Sequence, residues 1–315
     1  MVQAINQDIN NENIDASLFE LLGKDEKSNA EILRPSVSYW QDVWRRFKEN
    51  KLAMMGLVTV IIIILAAIFG PMFSPYSYSD QFLDYQGVGP NSMFWFGTDT
   101  LGRDILVRVL YGARISLAVG FVATFINLTV GVIYGGIAGF IGGRVDNIMM
   151  RIVDVFYSIP LMLYVILLMV ILEPGLKTIF IAIGLVYWVE MARIVRGQVL
   201  ALKEQEFVLA AKALGANTTR ILLKHLIPNA MGPIIVTITM CIPQAIFTEA
   251  FLSFIGLGVS APAASWGMLA SDAVSAIRSY PHMLIFPSLA IAITMLAFNF
   301  LGDGLRDALD PRLRK

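Results

Sequence analysis

Residues 52–69 read LAMMGLVTVIIIILAAIF, eighteen positions without a charge and with Ile61-Ile62-Ile63-Ile64-Leu65 at their centre. A hydrocarbon core of about 30 Å takes about 20 apolar residues in helical form. This run therefore predicts a membrane-crossing helix over 52–73. It is not expected to be a cleaved leader, because 51 residues precede it and no small-x-small site follows. Outward along the chain the pattern recurs over 115–141, 152–172 (broken by Pro160), 179–195, 230–255 (containing Pro233 and Pro243) and 283–301. Six spans are predicted. The runs are continuous rather than strictly alternating, which excludes the short strands of an outer-membrane barrel. The fold class is an all-α integral membrane protein.

Composition agrees. Of 315 residues, 57% are hydrophobic and only 15% charged, against about 45–50% and 25% in ordinary soluble domains. That profile excludes a disordered chain. The single cysteine, Cys241, excludes a disulfide scaffold. Balanced charge, with 24 basic and 24 acidic side chains, argues against a nucleic-acid partner.

Basic residues orient the spans, since cytoplasmic loops are rich in Lys and Arg. With the N-terminus inside, the inner segments hold seven basic residues in 1–51, two in 141–151, six in 193–228 and four in 302–315. The outer segments hold five: Arg103, Arg108, Arg114, Lys177 and Arg278. Both termini are expected in the cytoplasm.

The intervening segments divide accordingly. Residues 1–35, rich in Asn, Asp and Glu, are expected to be a mobile cytoplasmic tail. In 36–51, Trp40, Val43, Trp44 and Phe47 fall on one helical face beside Arg45, Arg46, Lys48 and Lys51, the pattern of a helix lying in the membrane interface. Residues 74–114 are assigned outside, 115–302 to a five-helix core with an inner loop at 196–228, and 303–315 to a cytoplasmic tail. Gly131, Gly135, Gly139 and Gly143 recur every four residues and predict a close helix–helix contact. Thr237, Cys241, Gln244 and Thr248 form a polar line in the fifth span, which faces either another helix or an aqueous path. Glu249 sits near that span's outer end.

Several chemistries are not expected. Asp154, Glu173, Glu190, Glu249 and Asp303 lie towards span ends, so no acidic residue marks the mid-membrane site of an ion-coupled carrier. No G-x-x-x-x-G-K-[ST] loop is present for ATP phosphates. His225 and His282 lack metal-ligand spacing, and Ser253 has no visible base. No catalytic residue and no metal site are assigned.

The inner loop is the most informative segment. Glu206 to Gly215 (EFVLAAKALG) suits a short helix stopped by glycine. Asn217 or Thr218 can cap a second helix, and Pro228 marks the next span. A compact two-helix knob of this kind is a docking element. It resembles the EAA motif of bacterial ABC-importer permeases: Ala210-Ala211, three residues, Gly215, then an apolar stretch ending in Pro228. Two departures are visible. The acidic residue is Glu206, with Leu209 where the simplest pattern has Glu, and His225 replaces the usual Ile.

Further segments fit in order. They are FGTDTLGRD at 96–104, YGARISL at 111–117, DNIMMRIVDVFYSIP at 146–160, ARIVRGQ at 192–198, EAFLSFIGLG at 249–258, SWG at 265–267 and GDGLRDALDPRLR at 302–314. Together they cover most of 36–315. The chain is similar to the second permease subunit of oligopeptide and dipeptide importers (the OppC/DppC type). The resemblance implies the type I importer (MetI-like) permease fold in the bacterial cytoplasmic membrane. It implies a homologous second permease, two cytoplasmic ATPases, an extracytoplasmic peptide-binding protein and a peptide substrate among lipid. ATP and Mg would sit on the ATPases, and this chain would bind no cofactor. Glu206, Ala210, Ala211, Lys212 and Gly215 would couple to an ATPase, and Thr237, Gln244, Thr248 and Glu249 would face the path. Dipeptides, nickel complexes or another small solute are the alternative cargoes.

Overall fold

The computed structural model describes residues 38–173, 175–258 and 262–310. The expected tail over 1–35 and the last five residues lie outside them. The described residues from Val43 on form one compact unit.

The first helix, α1 (Tyr39–Glu49), stops at Asn50, whose side chain accepts from the Leu52 and Ala53 amides at 3.1 Å each and so caps α2 (Lys51–Phe73). Only half of the aromatic face read from the sequence turns outward. Val43 and Phe47 are buried against Ala53, Ala308 and Leu309, while Trp44 stacks on Phe47, stays exposed and carries Lys48 over its ring.

The stretch 74–104 folds back on itself through a single turn of 3₁₀ helix at Leu83–Tyr85 and an isolated bridge between Thr98 and Asp104. Asp99 organises it. One carboxylate oxygen accepts from the Leu101 and Arg103 amides, and the other from Arg103 Nε at 2.6 Å and Arg108 Nη1 at 2.7 Å.

Asp104 accepts from the Leu106 amide and starts α3 (Ile105–Ile126). The second span therefore begins ten residues earlier than the sequence suggests. Arg114 ended the apolar run on paper, yet the helix continues through it, with its guanidinium donating to the Ala67 and Ile68 carbonyls, and Arg108 beyond it is 1% exposed because Asp99 partners it. After α3 a π-helical turn, Asn127–Gly131, leads into α4 (Val132–Ile141), and together they form one 37-residue rod.

Gly142 and Gly143, with φ of 72° and 58°, make the corner into α5 (Gly143–Ser158). Pro160 then forces Ile159 extended (φ −94°, ψ 121°). The chain bends by 80° into α6 (Leu161–Leu172). The third span is thus a broken pair rather than a rod over 152–172. Next, α7 (Leu176–Val186) and α8 (Trp188–Leu202) run on as one 27-residue span.

The inner loop forms α9 (Glu206–Ala213), α10 (Thr218–Ile221), a π turn at Leu222–Leu226 and α11 (Ile227–Asn229). Three elements follow: α12 (Met231–Phe254), α13 (Trp266–Val274) and α14 (His282–Leu309). Five helices are long and apolar enough to cross a membrane, and the bent α5–α6 pair makes a sixth, among the described residues.

Helix α12 is central, packed by α3, α13 and α14, with α2 laid across α3 and α14. One apolar cluster gathers Trp266, Ile246 and Phe298, and a second gathers Met191, Val199, Val208, Leu226 and Ile234. The assignment of 303–315 to a tail is corrected over 303–309. There α14 continues, with Gly304 against Ala53 and Phe47 and with Ala308 and Leu309 buried. Glycine lets that last stretch lie flush on α2.

Candidate coupling surface and translocation face

Helix α9 is held by one face and bare on the other. Val208 and Ala211 are buried in the inner apolar cluster with Val199, Ile221, Leu222 and Leu226. Glu206, Phe207, Leu209, Ala210, Lys212 and Ala213 are exposed, and the Lys212 ammonium lies 5.9 Å from the Phe140 ring centre. The two alanines thus differ in role: Ala211 anchors the helix and Ala210 is presented.

The helix ends in a Schellman stop. The Gly215 amide donates to Lys212 O and the Ala216 amide to Ala211 O, both at 3.0 Å, with Gly215 at φ 79°. Asn217, not Thr218, caps the following helix by accepting from the Arg220 amide at 2.8 Å. The tip of the knob is Leu214, which is 89% exposed. Leu209, Phe207 and Leu214 were not singled out as contact residues. The available signal was their apolar character in a segment otherwise read as cytoplasmic loop.

Below the knob, α8 packs along α4. A Cβ at Gly131 would stand 2.6 Å from Met191 Cβ, at Gly135 it would enter the Ala192 carbonyl, and at Gly139 it would lie 2.8 Å from Arg196 O. These glycines face α8 one turn after another. Gly143 does not join them, for a Cβ there would meet nothing within 4 Å. It is needed for its positive φ at the corner instead.

Two ion pairs tie α5 to α8. Arg196 Nε and Nη2 donate to the two oxygens of Asp146, both at 2.6 Å, and Arg193 Nη2 donates to Asp154 Oδ1 at 2.8 Å. Asp146 and Arg196 stood in the sequence only as members of longer motifs. Nothing in their spacing announces the pair, because they are 50 positions apart.

The polar line of α12 does not share one environment. Thr237 donates to Pro233 O within its own helix at 2.9 Å. Cys241 is 2% exposed and packs with Val119, Ala123 and Ile183. Gln244 is exposed, in a stripe with Phe247 and Phe251. Thr248 shares a 2.8 Å hydrogen bond with Tyr187.

Glu249 is removed from the path face altogether. It is fully buried, accepting from Ser116 Oγ at 2.9 Å and Ser253 Oγ at 2.7 Å. It thereby joins α3, α12 and, through the Ser265 hydroxyl on Ser253, the start of α13. It follows Thr248 directly in sequence but stands 100° round the helix, enough to turn it from edge to core.

At the end of the molecule away from α9, Asp272 of α13 stands 3.9 Å from Arg103 Nη2 and 3.8 Å from Arg108 Nη2. Burial pushes the Asp272 carboxyl up, with Arg103 pulling it down and Asp99 adding to the rise. Burial likewise pushes Asp104 up against the Leu106 and Val107 amides that lower it. Among the described residues no cluster of His, Cys, Asp or Glu could hold a metal ion.

The chain is similar to known proteins over most of its length. A sequence-family model described as a binding-protein-dependent transport system inner membrane component matches residues 131–315. A second, the N-terminal TM domain of oligopeptide transport permease C, matches residues 38–90. The oligopeptide transport system permease protein OppC of Bacillus subtilis (strain 168) is 55% identical over 304 residues, 96% of this chain and 100% of the relative. The dipeptide permease DppC of the same strain is 55% identical over 285 residues, 90% of this chain and 89% of its own. OppC of Escherichia coli (strain K12) is 44% identical over 279 residues, 88% and 92%. A chain of the inward-facing MetNI methionine ABC transporter superposes with a TM-score of 0.54 at 20% identity, over 64% of this chain and 96% of that one. The last match concerns the fold alone.

Proposed function

Because the chain belongs to the family of binding-protein-dependent transport inner membrane components, as a multi-pass permease subunit of an ATP-driven importer in the cytoplasmic membrane, we propose that it lines, with a homologous second permease, the route of oligopeptides. The family works with ATPase partners and a substrate-binding protein. In this proposal two ATPases, carrying ATP and Mg, meet the knob at α9, and both termini lie on their side of the membrane. A peptide-binding protein meets 74–104 and α13 from outside. The equal identity to an oligopeptide and a dipeptide permease keeps dipeptides as the second cargo.

One observation carries the coupling role: an apolar tip, Leu214, stands almost bare on a helix whose other face is locked into the inner core. Leu214, Phe207 and Leu209 all expose apolar surface on this one short segment, which is costly in water and is the character of a docking surface. Glu206 and Lys212 at its edge set the register, and Gly215 sets its end. ATP binding would draw the two ATPases together and carry the knob inward.

Gly215→Val places a β-branched residue at φ 79°, a strained conformation costing on the order of 1–3 kcal/mol. The stop is expected to unwind and the tip to shift. The assembled complex should then hydrolyse ATP while importing little peptide in proteoliposomes. Normal peptide uptake by this variant at normal expression would contradict the assignment. For the route itself, Gln244 and the flanking threonines offer neutral polar groups able to contact peptide backbones without selecting side chains.

A further inference from the structure

Helix α5 is a strut with a joint at each end. At its start, Gly142 and Gly143 carry φ of 72° and 58° and form the corner out of α4. At its end, Ile159 and Pro160 break the helix, and α6 leaves at 80°. Neither joint fixes the direction of α5, so its sideways contacts do.

Helix α4 touches it through Tyr134, whose hydroxyl donates to Met149 O at 2.9 Å, α7 lies against it, and α8 supplies an apolar patch and the ion pairs. Val153, Met150 and Phe156 pack on Trp188, Val189 and Ala192. At the end nearer the knob, buried Asp146 takes both nitrogens of the Arg196 fork at 2.6 Å. A bidentate guanidinium–carboxylate pair fixes distance and angle together. Helix α8 in turn runs into α9 through three residues, where the Lys203 amide donates to Val199 O and the Gln205 amide to Leu202 O. A push on α9 is thus a push on α8.

We infer that the Asp146–Arg196 pair is the positioning contact that makes α5 follow the coupling helix, so that the stroke is delivered to the Ile159–Pro160 joint and moves α6. The inference rests on the permease function proposed above. Hinges of this type concentrate a rotation in a few residues at element ends. The pair touches no substrate; it acts through α5.

A structural path becomes a coupling path only when coupling is measured. The complete importer, reconstituted with its ATPases and binding protein, provides the measurement as isotope-labelled oligopeptide imported per ATP hydrolysed. If the parent complex hydrolyses ATP without importing peptide, the proposed function fails, whatever the pair does. If the parent couples, Asp146→Arg and Arg196→Asp are each expected to assemble but to import about fivefold less peptide per ATP, and the double swap to return within about twofold of the parent. A merely structural role would lower yield and thermal midpoint without changing this ratio. Single variants with the parental ratio overturn the inference. So does a loss that the swap leaves unrepaired. Should the charge reversals fail to assemble, Arg196→Lys keeps the charge but loses the fork. A reduced ratio there supports the inference, and a parental ratio overturns it.

Discussion

At the scale of single residues, small side chains and buried charges do most of the specifying. Gly135 is filled by the Ala192 carbonyl, whereas Gly143 faces open space with a positive φ. The two glycines therefore make opposite predictions from the same chemistry. Gly135→Leu has to push α4 and α8 apart and is expected to destabilise by about 3 kcal/mol. Gly143→Ala pays only for its φ, about 1 kcal/mol. Thermal unfolding of the purified chain should rank them in that order, and equal midpoints would remove the close contact from the account. The period of four that marked these glycines was legible. What it could not show was the tight corner at 142–143, where the period continues but the helix does not.

At the scale of elements, α9 and α12 show how far a pattern carries. The knob was readable because its parts are local: helix-forming alanines, a glycine stop and an Asn cap lie within twelve residues. The polar line of α12 was legible only as a line. Which of its members meets solvent depends on α3 and α7, far away in sequence, so Cys241 lies inside while Gln244, less than a turn on, is exposed. A cysteine at Gln244 should accordingly react with a water-soluble thiol reagent in at least one nucleotide state of the complex, with the native Cys241 silent as internal control. A Gln244→Cys site unlabelled in every state would take that residue off the route.

At the scale of the whole molecule, the number and order of spans followed from composition, while their ends did not. The 37-residue rod Ile105–Ile141 is about 55 Å long at 1.5 Å per residue, far more than the roughly 30 Å of hydrocarbon. It runs on through Arg114, whose charge looked like a boundary, and takes in Arg108, which pairs with Asp99. A buried ion pair is invisible to hydropathy. The start of the same rod gives the molecule a pH dependence. Burial raises Asp104 above its usual 3.8, so the folded chain keeps that proton at pH values where the unfolded chain has lost it. Its contribution is fully present below 3.8 and lost as pH climbs through the raised value. Asp104→Asn keeps the cap acceptor for Leu106 and cannot ionise. Its thermal midpoint should stand further above the parent's at neutral pH than under mildly acid conditions. A difference constant across that window would contradict the assignment.

The π turn at Asn127–Gly131 has a consequence for how such a chain tolerates insertions and deletions. Relative to an unbroken α-helix it holds one residue more than the backbone path requires. Its wide turn takes up that residue without changing the rotational phase between the first half of the rod, which faces α12, and the second half, whose glycines face α8. Deleting Thr129 would let the rod relax into a regular helix with both halves nearly in their present phase. An insertion has no such slack: one further residue in the helix would turn one half against the other by about 100°, and the glycine strip would look away from the helix it was shaped to receive. Length at this point is therefore a setting of angle, tolerant of one residue less and intolerant of one more.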